Sequence, residues 1–255
     1  MTVGTEIARW RTSRRLSQLE LAARAGTTQR HVSFVESGRS KPGRAMLLRL
    51  AESMQLTLRE RNALLYNAGF APVYTETPLD APELRPVHDA LRRIIEGHMP
   101  YPAVVSDPRG ELIAANAAVA AIIAEDVAPE LMGNVYRVAL HPDGMPRRVL
   151  NLAEWGRHVI DGLRMRALRS PDPVLDALIA ELAPYVPDAP TGPDHMGFGV
   201  PLRLMHRGTE LRLLTTLTSF ATAVDVTVSE LHLEAFLPAD EETAAALRLS
   251  AGSAG

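Results

Sequence analysis

The chain has 255 residues, 46% of them apolar and 22% charged, which fits one large or two modest globular domains. It has no cysteine, so disulfides, thiolate metal sites and cysteine nucleophiles are excluded, and no apolar run approaches the ~20 residues of a membrane helix. The net charge of −3 combines a basic head with an acidic body: residues 1–71 hold 12 Arg/Lys against 5 Asp/Glu, and the rest hold 15 against 25. That asymmetry suits a nucleic-acid-binding module joined to something else, although charge alone equally describes a solvated basic face. Met1 to Arg15 is polar and basic without an apolar core, so no secretory leader is expected and the cytoplasm is the expected compartment.

Five short helices are predicted between Thr5 and Ala68. Ile7, Trp10, Arg11 and Arg14 mark the first. Ser17-Gln18-Leu19-Glu20 is a capping box that opens a second helix through Ala25. Gly26 permits a tight turn, Thr28 caps a third helix over Gln29–Ser37, and Gly38 ends it. Pro42 and Gly43 break the chain before helices near Ala45–Met54 and Leu58–Ala68.

The spacing of the second and third helices is informative. Leu21, Ala22, Ala25, Val32 and Val35 fall where two crossed helices must touch, so Gln29, Arg30 and Ser33 must face outward. This is the geometry of a helix-turn-helix, whose second helix enters the major groove with its N-terminus foremost. The candidate DNA contacts are Gln18, Thr28, Gln29, Arg30, Ser33, Arg39, Lys41 and Arg44. Gln29 and Arg30 have the fork geometry that reads adenine or guanine edges. Ser33, one turn on, can meet a base or a phosphate, and Arg39, Lys41 and Arg44 can reach the backbone from the following loop. His31 faces either the groove or solvent. The segments Ser17–Ala22, Gly26–Gln29 and Phe34–Arg39 resemble the phage-repressor-type (Xre) DNA-binding domain. The resemblance implies that Gln18 anchors to a phosphate and that Glu36 ties the loop structurally.

Pro72, Pro78, Pro82 and Pro86 mark residues 72–86 as a linker that no helix crosses. A helix over His88–His98 follows, with Leu91, Ile94 and Ile95 as its stripe. Ala103-Val104-Val105 reads as a strand, Asp107–Gly110 as a turn, Leu112–Ala115 as a second strand, and Asn116 as the cap of a helix over Ala117–Ala124. That order resembles the opening of a PAS domain. Asn151 is expected to cap a helix to about Arg169, and Pro173 begins another. Three strands then run over Gly199–Met205, Glu210–Thr218 and Glu230–Phe236, and Asp240 caps a last helix. The expected fold is an all-α five-helix helix-turn-helix domain (1–71), a linker (72–86), and an α+β PAS-like domain (87–255) with a five-stranded antiparallel sheet and inserted helices.

Leu58–Leu65, Ala68–Pro72, Tyr101–Val105, His141-Pro142-Asp143-Gly144, Trp155 and Phe236–Asp240 carry a resemblance to Xre-type regulators with a MmyB-like C-terminal domain. It implies a transcription regulator whose second domain has an apolar cavity for a fatty-acid-like molecule. One departure is the plain Pro108-Arg109-Gly110 turn, where the family tends to carry an aromatic.

By strand alternation and helix spacing, the candidate ligand-binding residues are Val104, Ile113, Trp155, Val159, Leu163, Leu202, Leu204, Leu211 and Leu213, with Arg203 added as a candidate at the cavity's mouth. Leu178 and Leu233 are further inward candidates. Trp155 is either core or cavity wall. His195, Arg203 and Arg212 are candidates for a polar mouth, where an Arg suits a carboxylate. No metal spacing, Walker-type loop, Gly-x-Ser-x-Gly or dinucleotide fingerprint is present, so no catalysis, metal or cofactor is expected. The expected partners are double-stranded DNA, a small apolar ligand and a second copy of the chain, with no membrane. The competing reading keeps DNA binding but gives the second domain only a dimerising role.

Overall fold

The computed structural model describes residues 2–123, 127–188, 199–220 and 222–252. The chain divides into two compact units, Met1–Leu79 with Ala221–Ser229, and Asp80–Phe220 with Glu230–Gly255.

The first unit holds α1 (Val3–Ser13), α2 (Gln18–Arg24), α3 (Gln29–Glu36), α4 (Arg44–Ser53) and α5 (Leu58–Asn67). Side chains satisfy the orphan amides at most of the helix starts. Thr2 accepts from the Thr5 amide and Thr28 from that of His31, while Ser17 with Glu20 and Thr57 with Glu60 form complete capping boxes. Ile7, Leu21, Ala22, Val32, Val35, Leu47, Leu50, Leu64 and Leu65 make one buried core. Gly26 turns between α2 and α3 at φ +62, in the left-handed region that a side chain resists.

The stretch expected to be a linker is structured. The Asn62 side chain donates to the Tyr74 carbonyl and accepts from the amides of Val73 and Tyr74. Thr75 then bridges to Asp225. A helix does take in the last of these prolines: α6 spans Arg85–Gly97 and has Pro86 in its first turn, where a missing N–H costs nothing. Leu91 and Ile95 of α6 are buried, whereas Ile94 is exposed. A further short helix that the sequence reading missed, α11 (Val226–Glu230), begins in the same unit as the head.

The second unit is built on an antiparallel sheet of β1 (Ala103–Ser106), β2 (Leu112–Ala115), β3 (Leu202–His206), β4 (Thr209–Ser219) and β5 (His232–Pro238), in the order β2-β1-β5-β4-β3. Between β2 and β3 come α7 (Ala117–Ile123), α8 (Val135–Leu140), α9 (Leu152–Arg169) and α10 (Pro173–Leu182). The last helix, α12 (Glu241–Gly252), opens with the Thr243 amide donating to Asp240. Buried Asn116 does more than cap α7. Its amide donates to the carbonyls of Ile95 and Tyr101 and its oxygen accepts from Ala103, which joins the end of α6 to the start of β1.

Asn151 does not cap α9 with its side chain. It donates instead to Pro201 and accepts from the Arg203 amide, pinning the start of α9 to β3. The short helix α8 was not read from the sequence either. Its start is held by Asn134, whose oxygen accepts from the amides of Tyr136 and Arg137.

Candidate nucleic-acid interface and ligand cavity

In the head, α3 turns Val32 and Val35 into the core and leaves Thr28, Gln29 and Arg30 exposed and Ser33 half-buried. The Arg30 guanidinium lies 5.2 Å from the Phe34 ring and that of Arg39 lies 5.8 Å from it. Arg39, Lys41 and Arg44 are exposed in and after the loop that follows α3. Glu36 faces inward rather than toward this basic surface. Its carboxylate accepts from Arg11 Nε at 2.6 Å and Nη2 at 3.0 Å, and from Gln18 Nε2 at 2.8 Å. Arg11 also donates to the Leu16 carbonyl. One acidic side chain thus joins α1, α2 and α3, and it sets the orientation of Gln18 at the N-terminus of α2.

The second unit holds a half-open cavity of about 330 Å³ between the sheet and its covering helices. Val104, Leu202, Leu204 and Leu213 line it from the sheet, with Leu112, Thr215, Leu217 and Phe236. Trp155, Val159 and Leu163 line it from α9, together with His158, Gly162 and Arg166 of the same helix. Helices α7 and α8 contribute Val119, Ile122, Ile123, Val135, Tyr136, Val138 and Ala139.

Three expected residues lie elsewhere. Ile113 is the extra residue of a β-bulge: Val105 pairs with Ala114 but Ser106 pairs with Leu112, so Leu112 takes the cavity position. Arg203 alternates with Leu202 and Leu204 onto the opposite face and pairs there with Glu210 at 2.8 Å. Leu211 shares a face with Leu213 but sits beyond the cavity end, fully buried in the core. Leu233 also points to the other face of β5, and Leu178 packs in the core outside the cavity lining.

The polar mouth is also built differently. Arg212 shares Glu210 with Arg203, and the two guanidiniums hold that carboxyl down at about 2. His195 lies outside the described residues. The cavity's cation is Arg166, whose Nη1 donates to the Pro108 carbonyl at 2.7 Å and to the Tyr136 hydroxyl at 2.9 Å. The plain Asp107–Gly110 turn therefore supplies an anchor for that cation. Glu234 on β5 is the acidic lining residue, with a carboxyl pushed up by burial and pulled back by Arg166. Sequence reasoning missed both. Arg166 lies three, seven and eleven residues after Leu163, Val159 and Trp155, so the same helical stripe could have shown it.

His232, two residues before Glu234, is pushed down to about 4 by burial and by Arg166. It folds neutral while the unfolded chain takes up a proton near 6.5, so stability is lost as pH falls from 6.5 toward about 4. Unfolding of the second unit in denaturant at pH 7.5 and pH 5 should show this loss in the wild type and a smaller loss in His232→Gln. An equal loss in both would reject the assignment.

Residues 7–61 match the family model for a helix-turn-helix, and residues 87–249 match that of the MmyB-like transcription regulator ligand binding domain. No curated protein matched the chain.

Proposed function

The chain belongs to the family of MmyB-like transcription regulators, with a helix-turn-helix head that makes it a DNA-binding regulator, and from that premise we propose how the two units divide the work. The head, 1–71, reads its operator with Gln29, Arg30 and Ser33, and holds the backbone through Gln18, Thr28, Arg39, Lys41 and Arg44. The second domain, 87–255 in a PAS-like arrangement beyond the 72–86 stretch, takes a small apolar molecule of fatty-acid-like build. Two copies bind a two-fold operator in the cytoplasm, because paired heads one helical turn apart multiply a small set of base contacts. The exposed side of α6, with Ile94, is a natural place for the copies to meet. Ligand occupancy changes DNA affinity only if one DNA-competence state holds the ligand better.

The observation that carries this reading is the mostly apolar cavity in the unit that matches the ligand-binding family. Its volume lies at the small end of known small-molecule sites, roughly 300–1,000 Å³. Operator titrations with fatty acids and their neutral amides of graded length, on wild type and Trp155→Ala, test it. A bound ligand should raise the melting temperature and shift operator affinity, and Trp155→Ala should weaken both effects. No shift for any chain length would leave the second domain as a dimerising module alone. In the same assay Arg30→Ala should cost about 1–3 kcal/mol on the specific site and relax base choice there. Lys41→Ala should weaken all sequences alike and lower the salt slope by about one. An unchanged footprint with Arg30→Ala would place the recognition helix in another register.

A further inference from the structure

The wall of the apolar cavity carries two opposite charges, Arg166 from α9 and Glu234 from β5. Glu234 stands on β5 between Val104 of β1 and Leu217 of β4, its directly paired neighbours. Among the described residues no hydrogen bond or ion pair reaches its carboxyl, although Arg166 is within electrostatic reach. Arg166 spends Nη1 on Pro108 and Tyr136, and its other N–H groups make no hydrogen bond among the described residues. Each charge lines the cavity with unspent hydrogen-bonding capacity.

The neighbouring titratable groups do not disturb this balance. Burial holds Tyr136 in its neutral phenol form and His232 in its neutral imidazole form. Asp107 is occupied by the amides of Arg109 and Glu111. His158, an exposed residue of α9, lines the cavity about two turns before Arg166.

A carboxylate placed here gains Arg166 but is repelled by Glu234. An ammonium gains Glu234 but is repelled by Arg166. A neutral group with both an N–H and a C=O satisfies the two at once, and an unmet buried polar group is what such sites discriminate against. Resting on the ligand-sensing reading above, we infer that the cavity recognises an uncharged amphiphile with an amide head, Glu234 accepting from its N–H and Arg166 donating to its carbonyl. A cavity of about 330 Å³ suits a molecule with a tail of modest length.

The test uses the full chain with three probes of one tail length, decanamide, decanoate and decylamine, and reads affinity by competition with an environment-sensitive dye. Wild type should bind decanamide at least about tenfold tighter than either charged probe. Glu234→Gln leaves Arg166 as the lone charge, so decanoate should overtake decanamide. Arg166→Gln should favour decylamine instead. The melting curve of each unliganded variant shows whether it folds. Decanoate binding wild type as tightly as decanamide, or a Glu234→Gln variant with an unchanged probe order, overturns the headgroup inference and leaves the sensor reading intact. Failure of all three probes on folded wild type overturns both.

Discussion

Glu36→Ala should destabilise the head by about 2–4 kcal/mol, although Glu36 touches no DNA. Removing one partner of a buried ion pair leaves the other uncompensated, which costs about 3–5 kcal/mol when burial is complete. Here the side chains of Arg11 and Glu36 keep 17% and 8% of their exposure, so water recovers part of the loss. Gln18 loses its acceptor as well, and three helices lose their common tie. Denaturant unfolding of the full chain, followed by helical circular dichroism, reads the head transition. A loss below about 1 kcal/mol would show that the pair acts as an ordinary surface bridge. Operator affinity should fall along with stability, because Gln18 is no longer held at the start of α2.

Gly110→Ala should cost the second unit about 2–4 kcal/mol. Two effects add. Gly110 sits at φ +84, where an L side chain costs about 1–2 kcal/mol. A Cβ there would also come within 2.3 Å of Tyr136 Cδ2 and 3.1 Å of Asn134 Oδ1, and overpacking costs about 1–3 kcal/mol. For a unit of this size the sum corresponds to a fall of roughly 5–10 °C in melting temperature. The variant should also lose ligand affinity, since a displaced Tyr136 no longer accepts from Arg166. An unshifted melting temperature would mean that the turn and the ring relax together without strain.

The head was legible because its rules are local. Ser17 with Glu20, Gly26, and the spacing of Val32 and Val35 each act within one or two turns, and each stands where those rules put it. The cavity was legible only along its regular elements. Trp155, Val159 and Leu163 follow from helix period, and Leu202, Leu204 and Leu213 from strand alternation. Alternation failed where its premises failed. A bulge moved Ile113 out of phase, and both faces of β5 are covered, so Leu233 and the Glu234 face were equally admissible as the inward one. Arg166 and Glu234 were hidden for another reason. Their role comes from a pairing across 68 residues of chain, which no local pattern encodes.

The clasp at Asp225 bears on how this protein can be dissected. Its carboxylate accepts from the hydroxyls of Thr75 and Thr77 and from the Thr77 amide, and the Val226 amide donates to the Thr75 carbonyl. The head module is therefore discontinuous in sequence: its last piece is borrowed from the connection between β4 and β5, and the chain passes between the modules at three points. A recombinant fragment ending at residue 71 lacks buried Val226 and Val228, and a chimera spliced within 72–86 transplants an unfinished part. A single protease nick in that stretch cuts the one covalent link between residues 1–71 and the rest, while the 221–229 segment still packs with the head, so the two pieces would stay together until denaturation and then separate on a gel. Modular exchange of heads among such regulators requires moving two segments together.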